Sequence, residues 1–271
     1  MKSPAYPPKP MPGDRIAVVS PSSGLAGALP LPYELGLRRL RAEFGLEPVE
    51  YPATRKMDST PRERADDLHA AFADPTVKAV MASIGGDDQI TVLPLLDREL
   101  IRANPKPFFG YSDNTNLLLF LRNLGIVGYH GACVMNEIGR PYALHPMTAD
   151  SVRAALFTSG PYELRPAESY RDTARDWADP ATFDAEPQSQ PAGGWIWHQP
   201  DLVVEGRSWG GSLEIVSWLL MADREIEHDP DAYQGDVLFV ETSEELPCAE
   251  DVFRILRNWA SGVCWPASPL S

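Results

Sequence analysis

The chain has 271 residues and a formal charge of −14 at neutral pH, from 24 Lys and Arg against 38 Asp and Glu. Residues 1–135 carry 15 of each sign, so the whole excess falls on 136–271, and no lysine follows Lys106. Without clustered cations the chain cannot release counterions from a polyphosphate, which excludes nucleic acid as a partner and an anionic membrane surface with it.

At 44% hydrophobic and 23% charged, the composition is that of a globular protein. The three cysteines are widely spaced and form neither a disulfide framework nor a zinc pattern, and H-E-x-x-H is absent. No metal or cofactor is expected. Met1 to Arg15 is proline-rich with no apolar leader core, and no run of 18 apolar residues exists, so a cytoplasmic protein without a membrane helix is expected.

In chain order, strands alternate with helices. Arg15 to Ser20 is an apolar run entering the turn Pro21-Ser-Ser-Gly24. The next segment puts Tyr33, Leu37, Leu40 and Phe44 on one helical stripe closed by Gly45. Leu46 to Tyr51 reads as a strand. Thr60-Pro-Arg-Glu63 is a capping box opening a helix that turns Leu68 and Phe72 inward. His69 lies on that helix's polar side and reads as solvated. Val77 to Ile84 predicts a strand ending in Gly85-Gly86, and a helix over 89–101 follows. Pro107 to Tyr111 is the next strand, then a helix over 116–124, a strand over 126–129 and a helix over 147–157.

This spacing predicts an α/β fold: an N-terminal parallel sheet flanked by helices over 1–157, with ligands beyond the carboxyl ends of its strands. Residues 158–194 lose the pattern amid prolines and acids and read as an interdomain linker, or as a long surface loop. Residues 195–271 read as a smaller, partial C-terminal α/β domain. It holds a Trp209-Gly-Gly-Ser212 turn, a helix over 213–221, a strand over 236–241 and a helix over 249–259.

Gly110-Tyr-Ser-Asp113 is the sharpest chemical feature. A strand that ends on a serine and turns at once into a helix can lift the hydroxyl out of the sheet, and the next backbone N–H can face a developing oxyanion. Ser112, alone or with Asp113, can equally be an N-cap. Gly85-Gly86 ends the neighbouring strand, where glycines allow a ligand or a second oxyanion donor to approach closely, or simply make a turn. Glu241 ends its strand and can orient a histidine, or be one more solvated acid of the Glu241-Thr-Ser-Glu-Glu245 run. Trp195 and Trp197 can stack on a ligand or pack between domains. None of the five histidines is an evident base; His130 and His198 stand nearest to candidate loops.

Five segments in order, Val19-Ser-Pro-Ser22, Ile84-Gly-Gly86, Phe109-Gly-Tyr-Ser-Asp113, Trp209-Gly-Gly-Ser-Leu213 and Leu238-Phe-Val-Glu-Thr242, resemble the LD-carboxypeptidase and microcin-immunity family of serine peptidases. The Trp-x-Trp segment and the Glu-Thr-Ser-Glu string resemble the microcin-immunity branch more. The resemblance implies a metal-free cytoplasmic homodimer that hydrolyses an amide near a free carboxyl end, in a murein LD-peptide or a peptidyl-nucleotide antibiotic. It implies Ser112 as nucleophile, Glu241 as triad acid, and the N–H groups of Gly86 and Asp113 as oxyanion donors. Gly85, Trp197 and Ser212 become substrate contacts, Ser212 standing where the family often has Asn. The alternatives are an inactive peptide- or nucleotide-binding relative, or an esterase that pairs Ser112 with another histidine.

The family's triad histidine follows the glutamate, and none lies between Glu241 and Ser271. The expectation is therefore a truncated, nearly inactive chain. Trp259 to Pro266 shows no clear period, and a back-translation of 258–270 read two bases on becomes family-like. A shifted reading frame near Asn258 is expected, which resequencing tests.

Overall fold

The computed structural model describes residues 4–173 and 175–262. The first part alternates as β1 (Arg15–Val19), α1 (Leu25–Ala28), α2 (Pro30–Phe44), β2 (Glu47–Glu50), α3 (Pro61–Ala73), β3 (Val77–Ala82), α4 (Arg98–Ala103), β4 (Phe108–Gly110), α5 (Thr115–Asn123), β5 (Tyr129–His130) and α6 (Pro146–Phe157). All five strands are parallel, in the order β2-β1-β3-β4-β5. The order reverses at β1, so the crevice beyond the ends of β1 and β3 is where such a sheet takes ligands.

Both sheet faces are covered. Ile16 and Val18 of β1 pack with Tyr33, Leu37 and Leu40 of α2, while Ala17 and Val19 face Leu68 and Phe72 of α3. This two-residue alternation, buried on both sides, explains why β1 reads as one unbroken apolar run. Each fully buried Leu or Phe contributes roughly 1.5–3 kcal/mol relative to exposure. Local signals hold where they are strong. Thr60 Oγ1 accepts from the Glu63 N–H while Glu63 accepts from the Thr60 N–H, and Gly45 ends α2 in the left-handed conformation.

Several expectations change. The helix expected over 89–101 is two 3₁₀ turns (Gln89–Thr91 and Leu93–Leu95) followed by α4. Asp97 restarts the helix by accepting from the N–H groups of Glu99 and Leu100. The strand expected over 126–129 narrows to Tyr129–His130, with Ile126 bridging to Ala5 instead. His69 is half-buried rather than freely solvated, its Nε2 accepting from the Asp97 N–H at 2.8 Å.

Beyond α6 the chain runs exposed through a short antiparallel pair, β6 (Ser169–Tyr170) with β7 (Gln190–Pro191). It then forms β8 (Arg207–Ser212), α7 (Leu213–Met221), β9 (Asp236–Glu241) and α8 (Ala249–Gly262). Trp209-Gly-Gly-Ser212 is therefore strand, not turn: β8 pairs in parallel with β9, Ser212 opposite Glu241. Gly210 and Gly211 hold φ of 127° and 139°, and a Cβ on Gly211 would meet the Thr115 side chain at 2.6 Å. Only glycine lets β8 lie this close to α5.

Trp209, Leu213, Val216 and Leu219 join the same apolar cluster as Leu117 and Phe120 of α5. Asp236, 4% exposed, is gripped by Arg122 of α5 and by Arg207 of β8 at 2.8 Å. Trp259 to Gly262 continue α8 rather than losing their period, and Trp259 is buried edge-on against Trp209. The tail from Val263, on which the reading-frame expectation largely rests, lies outside the described residues.

Candidate active site

The site forms where β4 hands the chain to α5. Tyr111 is still extended, Ser112 swings to φ 57°, and a 3₁₀ turn over Ser112–Asn114 leads into the helix. A left-handed non-glycine residue costs on the order of 1–3 kcal/mol unless its surroundings fix it. Here a buried polar network does so. Gln89 Nε2 donates to Asn114 Oδ1 (2.9 Å) and Ser22 Oγ (3.1 Å), and Gln89 Oε1 accepts from the Leu117 N–H (2.9 Å). Asn114 Nδ2 donates to the carbonyls of Ile84 and Tyr111.

No side chain caps this turn or α5, which removes the capping role considered for Ser112 and Asp113. The Asp113 carboxylate turns inward, accepting from the Gln89 N–H at 2.9 Å and from Asn116 Nδ2 at 2.8 Å. Burial raises its pKa to about 6 despite these donors. Tyr111 donates to Glu137 Oε1 (2.9 Å) and accepts from Asn136 Nδ2 (2.6 Å). Glu137 also accepts from the Cys133 N–H, and burial pushes up the pKa values of Glu137, Cys133 and Tyr111 alike. Asn136 and Glu137 lie in a π-helical turn over Val134–Ile138, a form of helix that often marks functional sites.

Two distant segments reach Ser112, and others pack around them. A Cβ on Gly85 would stand 3.2 Å from both Cβ and Oγ of Ser112, and one on Gly86 would meet Ser22 Cβ at 2.9 Å. From the second sheet, Glu241 Oε1 accepts from the Ser112 N–H at 3.4 Å. The same oxygen lies 3.3 Å from His130 Nε2. Ser212 is buried, its N–H donating to Thr115 Oγ1 (3.0 Å) and its hydroxyl facing Glu214 Oε2 (3.2 Å).

Gly85, Gly86, Ser112, Ser212 and Glu241 all line one cleft of about 730 Å³. Asp87, Glu214, Glu244 and Glu245 add carboxylates to its wall, and Trp177 and Trp218 add aromatic surface. Trp197 does not line it; it is 68% exposed, edge-on to Trp195 at 5.8 Å. Trp177 arrives from the irregular segment after α6, where no periodicity marked it. Gln89, Asn114 and Asn136 were equally unmarked, because a polar residue at a helix start reads as an ordinary cap. Among the described residues no group of three or more His, Cys, Asp or Glu side chains is placed to hold a metal ion, and no helix is long and apolar enough to cross a membrane.

Residues 16–131 match the family model described as the LD-carboxypeptidase N-terminal domain. A Vibrio cholerae protein named as a carboxypeptidase is 30% identical over 255 residues, covering 92% of this chain and 73% of that protein. The microcin C7 self-immunity protein MccF of Escherichia coli is 28% identical over 253 residues, covering 90% and 71%. A solved structure of MccF in its apo state superposes with a TM-score of 0.82 at 25% identity, covering 94% of this chain and 76% of that one. An MccF-like protein from Streptococcus pneumoniae, solved with AMP, gives 0.80 at 27% identity, covering 90% and 78%. Fold and matches together define a serine carboxypeptidase-type hydrolase. The chain belongs to the LD-carboxypeptidase family.

Proposed function

We propose that this chain cleaves an amide bond next to a free carboxyl end, with Ser112 as nucleophile and Glu241 as the acid of its catalytic set. The observation that carries this reading is the left-handed Ser112 at a strand-to-helix turn, with Gly85 against its hydroxyl and Glu241 reaching its N–H from the other sheet. Ser112 Oγ attacks the carbonyl carbon as a general base takes its proton, the part played in the family by a histidine after the glutamate; no histidine stands in residues 242–271, so turnover is expected to be slow. The backbone N–H groups of Gly86 and Asp113 receive the oxyanion at the mouth of α5, where the helix dipole favours negative charge. Collapse passes the proton to the departing nitrogen and releases the amine side of the bond, the terminal amino acid of an LD-peptide or the nucleotide part of a peptidyl-nucleotide, and water then hydrolyses the acyl-enzyme.

The substrate reading follows the relatives' names. One is a microcin C7 self-immunity protein, and a Bacillus subtilis relative is named for murein peptide carboxypeptidase activity. MccF has been solved with glutamyl sulfamoyl guanosine. A peptidyl-nucleotide is favoured over a murein LD-peptide, since the solved MccF and MccF-like relatives include complexes with nucleotide-type ligands. Ser212, Gly85 and the aromatic walls would contact it, and Trp197 would join them only if its segment folds over the cleft. A cytoplasmic homodimer remains part of this reading.

The test is release of the C-terminal amino acid from an LD-tetrapeptide, and of glutamate from a glutamyl sulfamoyl nucleoside. Release by the unmodified chain that Ser112→Ala abolishes supports the reading; release that Ser112→Ala leaves intact overturns it. Binding without release would favour the inactive ligand-binding alternative.

A further inference from the structure

His130 has a place in this site that its position in the sequence does not announce. It ends β5, the edge strand of the first sheet, opposite Gly110 in the register. Its ring stands edge-on to Phe239 of β9 at 5.2 Å and to Tyr111 at 6.2 Å. Both ring nitrogens are buried without a hydrogen bond of good geometry. Buried polar atoms left in this state cost free energy, so their retention needs a reason. Nε2 lies 3.3 Å from Glu241 Oε1, within reach of a bond that only a small rotation would align. Contacts of this kind are often loose in an unliganded site and tighten when substrate binds.

The direction of approach defines the role. His130 and Phe239 line a second cavity of about 830 Å³, whereas Ser112 and Glu241 line the reaction cleft. The imidazole therefore meets the carboxylate from behind. Both contacts, the Ser112 N–H and His130 Nε2, fall on the same oxygen, Oε1. Glu241 and Ser112 belong to different sheets, so a small slide of one sheet against the other would separate them. A group on the first sheet that grips Glu241 resists that slide.

We propose that His130 is a positioning residue: its imidazole holds the Glu241 carboxylate in register with Ser112. The inference rests on the serine-hydrolase reading of the site. Nε2 donates to Oε1 in this arrangement, which fixes the tautomer with the proton on Nε2 when the ring is neutral.

The test labels the full chain with a fluorophosphonate probe, which reports Ser112 reactivity without a natural substrate. Labelling of the unmodified chain that Ser112→Ala abolishes establishes the reading; label retained in Ser112→Ala overturns it. Within that frame, His130→Ala is expected to lower the maximal labelling rate by about tenfold, because small displacements of the groups around a reacting side chain are costly. The half-saturating probe concentration should not move. His130→Gln keeps an N–H donor and should recover most of the rate. An unchanged rate in His130→Ala, or a His130→Gln as slow as His130→Ala, overturns the positioning role alone. Thermal melting of His130→Ala, Glu241→Gln and the double variant gives a second arm that needs no labelling. Non-additive losses support the contact, and additive losses overturn it.

Discussion

Ser112 and Glu241 stand 129 residues apart, yet the backbone N–H of one points at the carboxylate of the other across 3.4 Å. The contact joins the ends of two separate parallel sheets, β4 of the first and β9 of the second. Everything that packs the sheets together therefore bears on the site.

Strain at Ser112 gives a stability test opposite in sign to the functional one. Its φ of 57° is cheap only for glycine. Ser112→Gly should abolish hydrolysis yet raise stability by about 1 kcal/mol. Denaturant unfolding checks this, and a destabilised Ser112→Gly would mean that the hydroxyl contributes more to the fold than the backbone strain costs.

Gly85→Ala adds a methyl group 3.2 Å from Ser112 Oγ and Cβ, while the cleft side of Gly85 stays open. The expected result is a fall in hydrolysis or labelling of about 10- to 100-fold, because small displacements of a reacting group are costly. The melting temperature should barely change. Rate and melting curve measured on one preparation decide it.

Asp236 is the main polar clamp between α5 and the second sheet. Asp236→Ala leaves Arg122 and Arg207 without their shared, 4% exposed carboxylate. The arginines left behind are 24% and 39% exposed and can be solvated, so the loss is on the order of 1 kcal/mol. Because β9 carries Glu241 at its far end, activity should fall along with stability. Urea unfolding and the labelling rate test the two effects.

Asp113 predicts a pH dependence. Its pKa is about 6 in the fold, raised by burial above an unfolded value near 3.9. A raised folded pKa favours the fold fully below the unfolded value, and the benefit is lost as pH rises through 6. From pH 4 to pH 7 this group alone should remove on the order of 2 kcal/mol. Asp67, buried with a pKa of about 6, contributes in the same direction. In Asp113→Asn the slope between pH 4 and 6 should shrink without vanishing. Absolute stability should also drop, because one amide oxygen cannot serve the donors of both Gln89 and Asn116. Unfolding free energies at pH 4.5 and 7 report both effects.

Much of the first sheet was legible because its signals are local. Apolar runs, the Thr60 capping box and Gly45 each act within a few residues, and the structure keeps all of them. The turn at Ser112 was legible for the same reason: strand, serine and helix adjoin in the chain. The helix expected over 89–101 failed because periodicity cannot see that Asp97 caps a new start. The Trp209-Gly-Gly-Ser212 segment failed because paired glycines usually mean a turn. Here they serve a strand pressed against Thr115.

By itself, then, the sequence determined the alternation of β and α elements, the neutral and acidic halves, and the candidate serine between its strand and helix. Tertiary structure decided which distant groups meet there: Glu241 and Ser212 from the second sheet, Trp177 from the irregular segment, and His130 behind the carboxylate. The division has a physical cause. Caps, turns and periodicities are set by neighbours along the chain, whereas contacts across 129 residues depend on how two sheets close on a shared core. The spacing of residues along the chain does not encode that closure.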